Sequence, residues 1–326
     1  MQCNQMNTDT LRVFVLDGGF STQLSGHVAT TADGDPLWSA RFLQNHSADI
    51  VSTHLDFLRA GSDIIMTNTY QASVGGFVKH LNVTPEEGYG LITHAVELAQ
   101  QARNTFLIEC ETNPPVMRPL IAGSVGPYGA YLHDGSEYNG NYADKTSAQE
   151  MKEWHTSRIK ALVNAGVDLL AFETIPCLKE AEVLVQMLKE YPNMKAWLSF
   201  SCKDENSLAH GEDFKEAVNK CWEINSKQLV AMGVNCCSPA IVAKLFKGIN
   251  DGRSSAIPFI AYPNSGEKYN SGIGWIDGDK CEDLNKYVQE WLDVGVRYVG
   301  GCCRTYAADI SCVKSQVQIW LEKKKI

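Results

Sequence analysis

Eight short runs of almost unbroken apolar residues, each followed by a longer amphipathic stretch, constrain this chain more than any other feature. The runs are Val13–Asp17, Ile64–Asn68, Leu120–Ser124, Leu169–Glu173, Ala196–Ser201, Val230–Asn235, Phe259–Pro263 and Tyr298–Gly301. A strand with one wet face alternates apolar and polar residues. Runs that are apolar throughout suit strands of a parallel sheet covered on both faces. Between and after them, Ala48–Ala60, Pro85–Arg103, Ser147–Ala165, Cys177–Lys189, Phe214–Ile224, Pro239–Gly248, Glu282–Asp293 and Ala307–Glu322 read as helices. Ser238-Pro239 is a helix start with proline at the first helical position. Three helix-to-strand joints share one plan, a glycine closing the helix just before the next strand: Gly61, Gly166 and Gly295. Eight such units in 326 residues predict a single α/β domain over residues 1–326, a (β/α)8 TIM barrel. A doubly wound open sheet is the competing arrangement.

The connections are unequal. Gly18–His46, Val125–Thr146 and Asn264–Lys280 are long links from strand to helix, rich in Gly, Tyr, Asn and Ser, whereas most helix-to-strand links are short. In a (β/α)8 barrel all strand-to-helix loops lie on one face, where active sites are built. No linker or low-complexity segment divides the chain.

Charge and composition narrow the function. A net charge of −9 with no basic stripe beyond Lys323–Lys325 argues against nucleic-acid binding. Met1–Thr10 lacks the basic and apolar regions of a signal peptide, and no apolar run approaches a bilayer span. A cytoplasmic protein is therefore expected. In that reducing compartment the eleven cysteines are free thiols, and any cluster points to metal rather than to disulfides.

The chemistry gathers at the strand ends: Asp17-Gly18-Gly19, Asn68-Thr69-Tyr70, Glu173-Thr174, Asn235-Cys236-Cys237, Tyr262-Pro263-Asn264 and Gly301-Cys302-Cys303. In a barrel these groups converge on one mouth. Cys302, Cys303 and one of Cys236 and Cys237 would supply three thiolates, which leave a fourth tetrahedral position open, as catalytic rather than structural zinc sites do. Thiolate softness favours Zn2+ over magnesium or calcium. Successive residues at a strand end point apart, so Cys236 and Cys237 are not both ligands, and spacing does not choose between them. Cys302 and Cys303 can both serve only if the backbone turns there, which Gly300-Gly301 would permit. Cys110, Cys177, Cys202, Cys221 and Cys281 read as ordinary structural cysteines. Asp17 and Glu173 are either helix or turn caps or site carboxylates. Gly18 and Gly19 would let a substrate carboxylate approach backbone N–H groups. The stretch Gly123–Gly129 lacks G-x-G-x-x-G spacing and reads as an active-site loop. Neither H-E-x-x-H nor G-x-S-x-G occurs.

DGGFSTQL from Asp17, TNTYQAS from Thr67, GSVGPYGAYL from Gly123, FETIP from Phe172, GVNCC from Gly233, YPNSGE from Tyr262 and GGCCRT from Gly300 occur in this order. Together they closely resemble the homocysteine S-methyltransferases, with selenocysteine methyltransferases as members and betaine–homocysteine methyltransferases as more distant relatives. The resemblance spans essentially the whole chain. It implies zinc ligands at Cys236, Cys302 and Cys303, the homocysteine amino group at Asp17 and Glu173, its carboxylate at Gly18 and Gly19, and Asn235 beside the ligand. Asn264 falls in a matching motif without a settled role, and Asn270 departs from the family's usual Asp. The implied reaction moves a methyl group from S-methylmethionine or S-adenosylmethionine to homocysteine, forming methionine. Betaine-using relatives are longer, with a C-terminal arm, so a chain ending at Ile326 is expected to use a sulfonium donor. A zinc hydrolase on the same barrel and a thiol or zinc sensor using Cys302-Cys303 are the alternatives.

Overall fold

The structure, a computed structural model, describes residues 12–270, 274–276 and 283–324. Expectations touching Met1–Thr10, the loop end at Lys280, Cys281 and Glu282 lie outside these residues.

The eight apolar runs become eight parallel strands: β1 Phe14–Val15, β2 Ile64–Met66, β3 Leu120–Val125, β4 Leu169–Ile175, β5 Ala196–Phe200, β6 Leu229–Asn235, β7 Phe259–Tyr262 and β8 Val296–Val299. Each of β2 to β7 pairs with its sequence neighbours, β8 lies between β7 and β1, and a parallel bridge from Leu16 to Ile64 joins β1 to β2. The sheet therefore closes on itself, and the open-sheet alternative is excluded. Both faces of the strands are buried, which is why the runs show no alternation.

Period two nevertheless sorts the residues. Leu169 and Ala171 of β4, Trp197 of β5, Ala231 of β6 and Ile260 of β7 fill the barrel interior with Leu16 and Met66. Leu170, Phe172, Leu198 and Val234 point outward and pack under the helices. Two residues past the inward apolar layer come Ser124, Glu173, Ser199 and Tyr262, and four past Ala231, beyond Gly233, comes Asn235, all buried. This polar layer caps the apolar interior at the end where the strands finish.

The helices are α1 Ser47–Arg59, α2 Pro85–Glu109, α3 Ala148–Asn164, α4 Leu178–Leu188, α5 Phe214–Asn225, α6 Val242–Phe246, α7 Val288–Asp293 and α8 Ala307–Lys324. Capping boxes start α2 and α3: Thr84 and Ser147 accept from the amides of Glu87 and Glu150, whose carboxylates bond back to the capping residues' amides. The Pro239–Gly248 expectation splits into a 3-10 turn, Pro239–Ile241, and the short α6; a 3-10 turn, Leu284–Lys286, likewise precedes α7. The long loops carry extra structure: helices Phe20–Leu24, Val74–Leu81 and Tyr128–Leu132, and an antiparallel hairpin, Lys268–Asn270 with Gly274–Ile276. Among the described residues no helix is long and apolar enough to cross a membrane.

Candidate active site

An open-mouthed cavity lies where the strands end, and Asp17, Glu173, Cys236, Cys302 and Cys303 all line it. Its floor is the polar layer. Ser199 Oγ lies 2.8 Å from Asn235 Oδ1 and 2.6 Å from the Tyr262 hydroxyl, which accepts from Trp197 Nε1 at 3.0 Å. These bonds satisfy groups that burial would otherwise penalise and hold the floor in one arrangement.

The three sulfurs meet above it. Cys236 Sγ is 3.7 Å from Cys303 Sγ, Cys302 Sγ is 4.0 Å from Cys303 Sγ, and all three lie within 4.8 Å of one another. The choice between Cys236 and Cys237 is made by backbone conformation. Cys236 sits at φ 51°, a left-handed setting that costs a non-glycine residue about 1–3 kcal/mol and is found where a site demands it. The turn puts the Cys236 sulfur on the cavity side, while Cys237 packs into the outer apolar core, where burial raises its thiol pKa.

On the other side, Cys302 and Cys303 both line the cavity; the chain takes a positive φ just after them, at Arg304, 66°, and none at Gly300 or Gly301. Those glycines are needed for close approach. A Cβ on Gly300 would lie 2.6 Å from Leu16 Cβ, and one on Gly301 2.3 Å from Thr305 Oγ1. The Tyr262–Ser265 segment ties the two cysteine turns together. Pro263 O accepts from Cys302 N at 2.8 Å, Tyr262 O accepts from Cys236 N at 3.1 Å, and Asn264 and Ser265 donate to the carbonyls of Cys237 and Cys303. Asn264 Oδ1 closes its own turn on Gly266 N.

Whether this cluster fits a metal can be asked of its geometry. Zinc–sulfur bonds of about 2.3 Å at tetrahedral angles put sulfurs about 3.8 Å apart, close to the two separations above. Cys236, Cys302 and Cys303 are free thiols, and hydrogen bonding with Cys302 and then Cys303 pulls the Cys236 thiol below its ordinary pKa. The cluster fits a soft divalent ion with one position open.

Beside the sulfurs stand two buried carboxylates. Asp17 Oδ2 accepts from Met66 N at 2.7 Å, while Oδ1 has no partner among the described residues. Burial, reinforced by the charge of Glu173, raises its pKa. Glu173 accepts from Ser124 Oγ, and burial pushes its carboxyl up to about 7 against the hydrogen bonds that favour ionisation. Such a pair accepts a cation readily, because an ammonium between them relieves both the repulsion and the desolvation.

The remaining expected residues are placed differently. Gly18 and Gly19 line the cavity, but the Gly19 amide is already donated to Thr305 O and Oγ1 at 3.0 and 3.1 Å. Asn235 is fully buried and does not line the cavity. Its Oδ1 accepts from Thr174 N at 2.7 Å as well as from Ser199, and its Nδ2 donates to Thr174 Oγ1 at 2.7 Å and approaches Cys302 Sγ at 4.0 Å. Asn235 therefore bonds Thr174 and lies against Cys302 from behind the cavity wall.

Sequence reading placed Tyr262 at a strand end but missed Ser124 and Ser199; the polar residue two positions beyond an inward apolar one was the available signal. It also missed Arg158 of α3, which is buried and donates to the carbonyls of Thr69, Tyr70 and Gly126 at 2.8–3.0 Å. One planar guanidinium thereby clamps the loops after β2 and β3 to the barrel wall.

The family model described as homocysteine S-methyltransferase matches residues 14–317. A betaine-homocysteine S-methyltransferase of Drosophila melanogaster is 46% identical, aligned over 97% of this chain and 98% of its own. The homocysteine S-methyltransferase of Escherichia coli is 38% identical over 94% of this chain and 96% of its own. The crystal structure of the E. coli homocysteine methyltransferase MmuM in its metallated form superposes with a TM-score of 0.82 at 36% identity, covering 94% of this chain and 97% of that one. A cavity walled by three convergent thiols and two buried carboxylates thus sits in a barrel matched along nearly its whole length, and the chain belongs to the homocysteine S-methyltransferase family.

Proposed function

We propose that this protein transfers a methyl group from a sulfonium donor to the thiol of homocysteine, forming methionine, with zinc held by Cys236, Cys302 and Cys303. The observation that carries this reading is the meeting of those three sulfurs beside Asp17 and Glu173 in one cavity. Zinc bound by three thiolates supplies a Lewis acid that keeps a substrate thiol deprotonated near neutral pH.

The chain's own residues do the positioning. Asp17 and Glu173 take the homocysteine ammonium, which sets the direction of its side chain toward the sulfurs. Gly18 and Gly19 form the wall on which the substrate carboxylate would lie, their bare backbone packed close against Thr305 and Cys302. Asn235 fixes Thr174 and Cys302 from below. The substrate thiol gives up its proton, its sulfur forms a bond to the donor methyl, and the C–S bond to the sulfonium breaks. The donor leaves as a neutral thioether, and the sulfonium charge is cancelled by the thiolate's. With S-methylmethionine as donor, both products are methionine. Most of the rate gain comes from alignment of two bound reactants.

The donor is argued from the cavity rather than from chain length. The Drosophila relative is named for betaine, yet 98% of its length is matched here, so the length argument does not separate the donors. Five carboxylates line the cavity, Asp17, Asp33, Asp35, Glu137 and Glu173, with no Lys or Arg among the described lining residues. That field suits a donor with net positive charge, such as S-methylmethionine, over betaine, whose net charge is zero. Methionine formation from homocysteine, measured with S-methylmethionine, S-adenosylmethionine and betaine supplied separately, tests the reading. We expect S-methylmethionine to give the highest kcat/KM and betaine to be inactive; no methionine with any donor would defeat the proposal.

A further inference from the structure

Glu137 is a carboxylate without an assignment. It belongs to a 3-10 turn, Ser136–Tyr138, in the long loop between β3 and α3, and it lines the same cavity as the three cysteines. The loop is firmly built. Ser136 N donates to Asp134 Oδ1 at 2.9 Å, Gly140 N donates to Ser136 O at 2.7 Å, and a Cβ on Gly129 would lie 2.7 Å from Glu137 N. Glu137 Oε2 is buried and has no hydrogen-bond partner among the described residues, so the carboxylate, helped by its own backbone amide, is still left with part of its desolvation uncompensated. The following residue places its hydroxyl 3.9 Å from Cys236 Sγ, which brings this turn to the reacting end of the cavity. Burial pushes the Glu137 carboxyl up to about 7, with Asp134 and Cys236 adding repulsion. A cation is the partner such a group lacks.

The other lining carboxylates are already accounted for. Asp17 and Glu173 serve the homocysteine ammonium. Asp35 is paired with Arg41, and Asp33 is exposed to water. Glu137, half-buried with Oε2 shielded from water, is the one left over. The sulfonium centre itself is a poor match, because its charge disappears during transfer and a carboxylate holding it would oppose the reaction. An amino-acid sulfonium carries a second cation whose charge does not change.

We propose that Glu137 is a specificity-determining residue that binds the α-ammonium of an amino-acid sulfonium donor and selects such donors over sulfoniums that lack the ammonium. This rests on the methyl-transfer reading above and deepens it. Because the ammonium is unchanged between substrate and transition state, its loss should fall mainly on the donor KM.

The test compares S-methylmethionine with its desamino analogue, 4-(dimethylsulfonio)butanoate, in the wild type, Glu137→Gln and Glu137→Ala. The wild type should prefer S-methylmethionine, and in both variants the ratio of the two kcat/KM values should collapse by tenfold or more, through a raised KM for S-methylmethionine. The ratio is internal to each variant, so partial loss of folded protein does not move it, and Glu137→Gln preserves the shape of the side chain. Homocysteine affinity is measured alongside by titration without donor. Proportional loss with both donors, or a shift in homocysteine affinity in place of donor KM, would overturn the assignment while leaving the methyl transfer standing. A wild type that turns over neither sulfonium would overturn the methyl-transfer reading and this inference with it.

Discussion

The sulfur of Cys236 lies 3.7 Å from that of Cys303, although 67 positions separate them along the chain and β7 stands between the strands that carry them. Pairing of both strands with β7 and the left-handed turn at Cys236 bring the two sulfurs together. The separation matches what two thiolates on one zinc ion require, about 3.8 Å.

The first expectation concerns the metal. Protein purified under reducing conditions should carry about one zinc per chain. Cys302→Ser should lose both metal and methyl transfer, whereas Cys110→Ser, which alters a half-buried thiol outside the cluster, should keep both. Cys237→Ala should also retain zinc and cost roughly 1 kcal/mol of stability through a small core cavity. Elemental analysis and urea denaturation read the two effects, and equal zinc in Cys302→Ser and wild type would remove the cluster from the account.

Glu173 gives a pH signature. Its carboxyl titrates near 7 in the fold against an ordinary 4.5. Between those values the native state holds a proton that the unfolded chain releases, so this group's contribution to stability falls as pH rises from about 4.5 to 7. Without homocysteine, Glu173→Gln should therefore be more stable than wild type at pH 8, by roughly 1–3 kcal/mol, and similar to it at pH 4.5. The same variant should bind homocysteine at least tenfold more weakly, a loss of about 1.4 kcal/mol or more, while keeping its zinc. Denaturation at the two pH values and isothermal titration check this. A stability difference that does not depend on pH would show that the carboxyl is not held protonated.

Asn235 should behave as a support. Asn235→Ala leaves Thr174 N without its acceptor and takes a partner from Ser199 Oγ in a buried layer, which costs about 1–3 kcal/mol. Losing the group beside Cys302 should weaken metal affinity by roughly 10–100-fold, with little change in homocysteine affinity once zinc is saturating. Competition with a chromophoric chelator measures the first, and titration at excess zinc the second. Unaltered metal affinity would assign Asn235 a purely architectural role.

Much of this was legible in the sequence. Continuous apolar runs such as Leu169–Glu173 announced two-sided burial, and the cysteine pairs at strand ends announced a cluster of thiols able to hold a metal. What could not be read was which residue of each run faces the barrel interior, because a run apolar on both faces hides its phase. Ser199 was therefore taken as strand, not floor. The choice of Cys236 over Cys237 depends on a positive φ that no propensity foretells at cysteine. Helix Val74–Leu81 was masked by Gly75 and Gly76, poor helix formers; Ser73 starts it by accepting from Gly76 N. Glu137 and Arg158 escaped notice because a charged residue in a loop or on a helix ordinarily faces water.

X-ray absorption at the zinc edge tests the central claim most directly. Only a thiolate is a good fourth ligand to such a site, so homocysteine should bind and release a proton with no methyl donor present. On its addition the zinc environment should change from three sulfurs and a lighter atom to four sulfurs. Methionine, a thioether, should produce no such change. A zinc environment unaltered at saturating homocysteine would contradict the account.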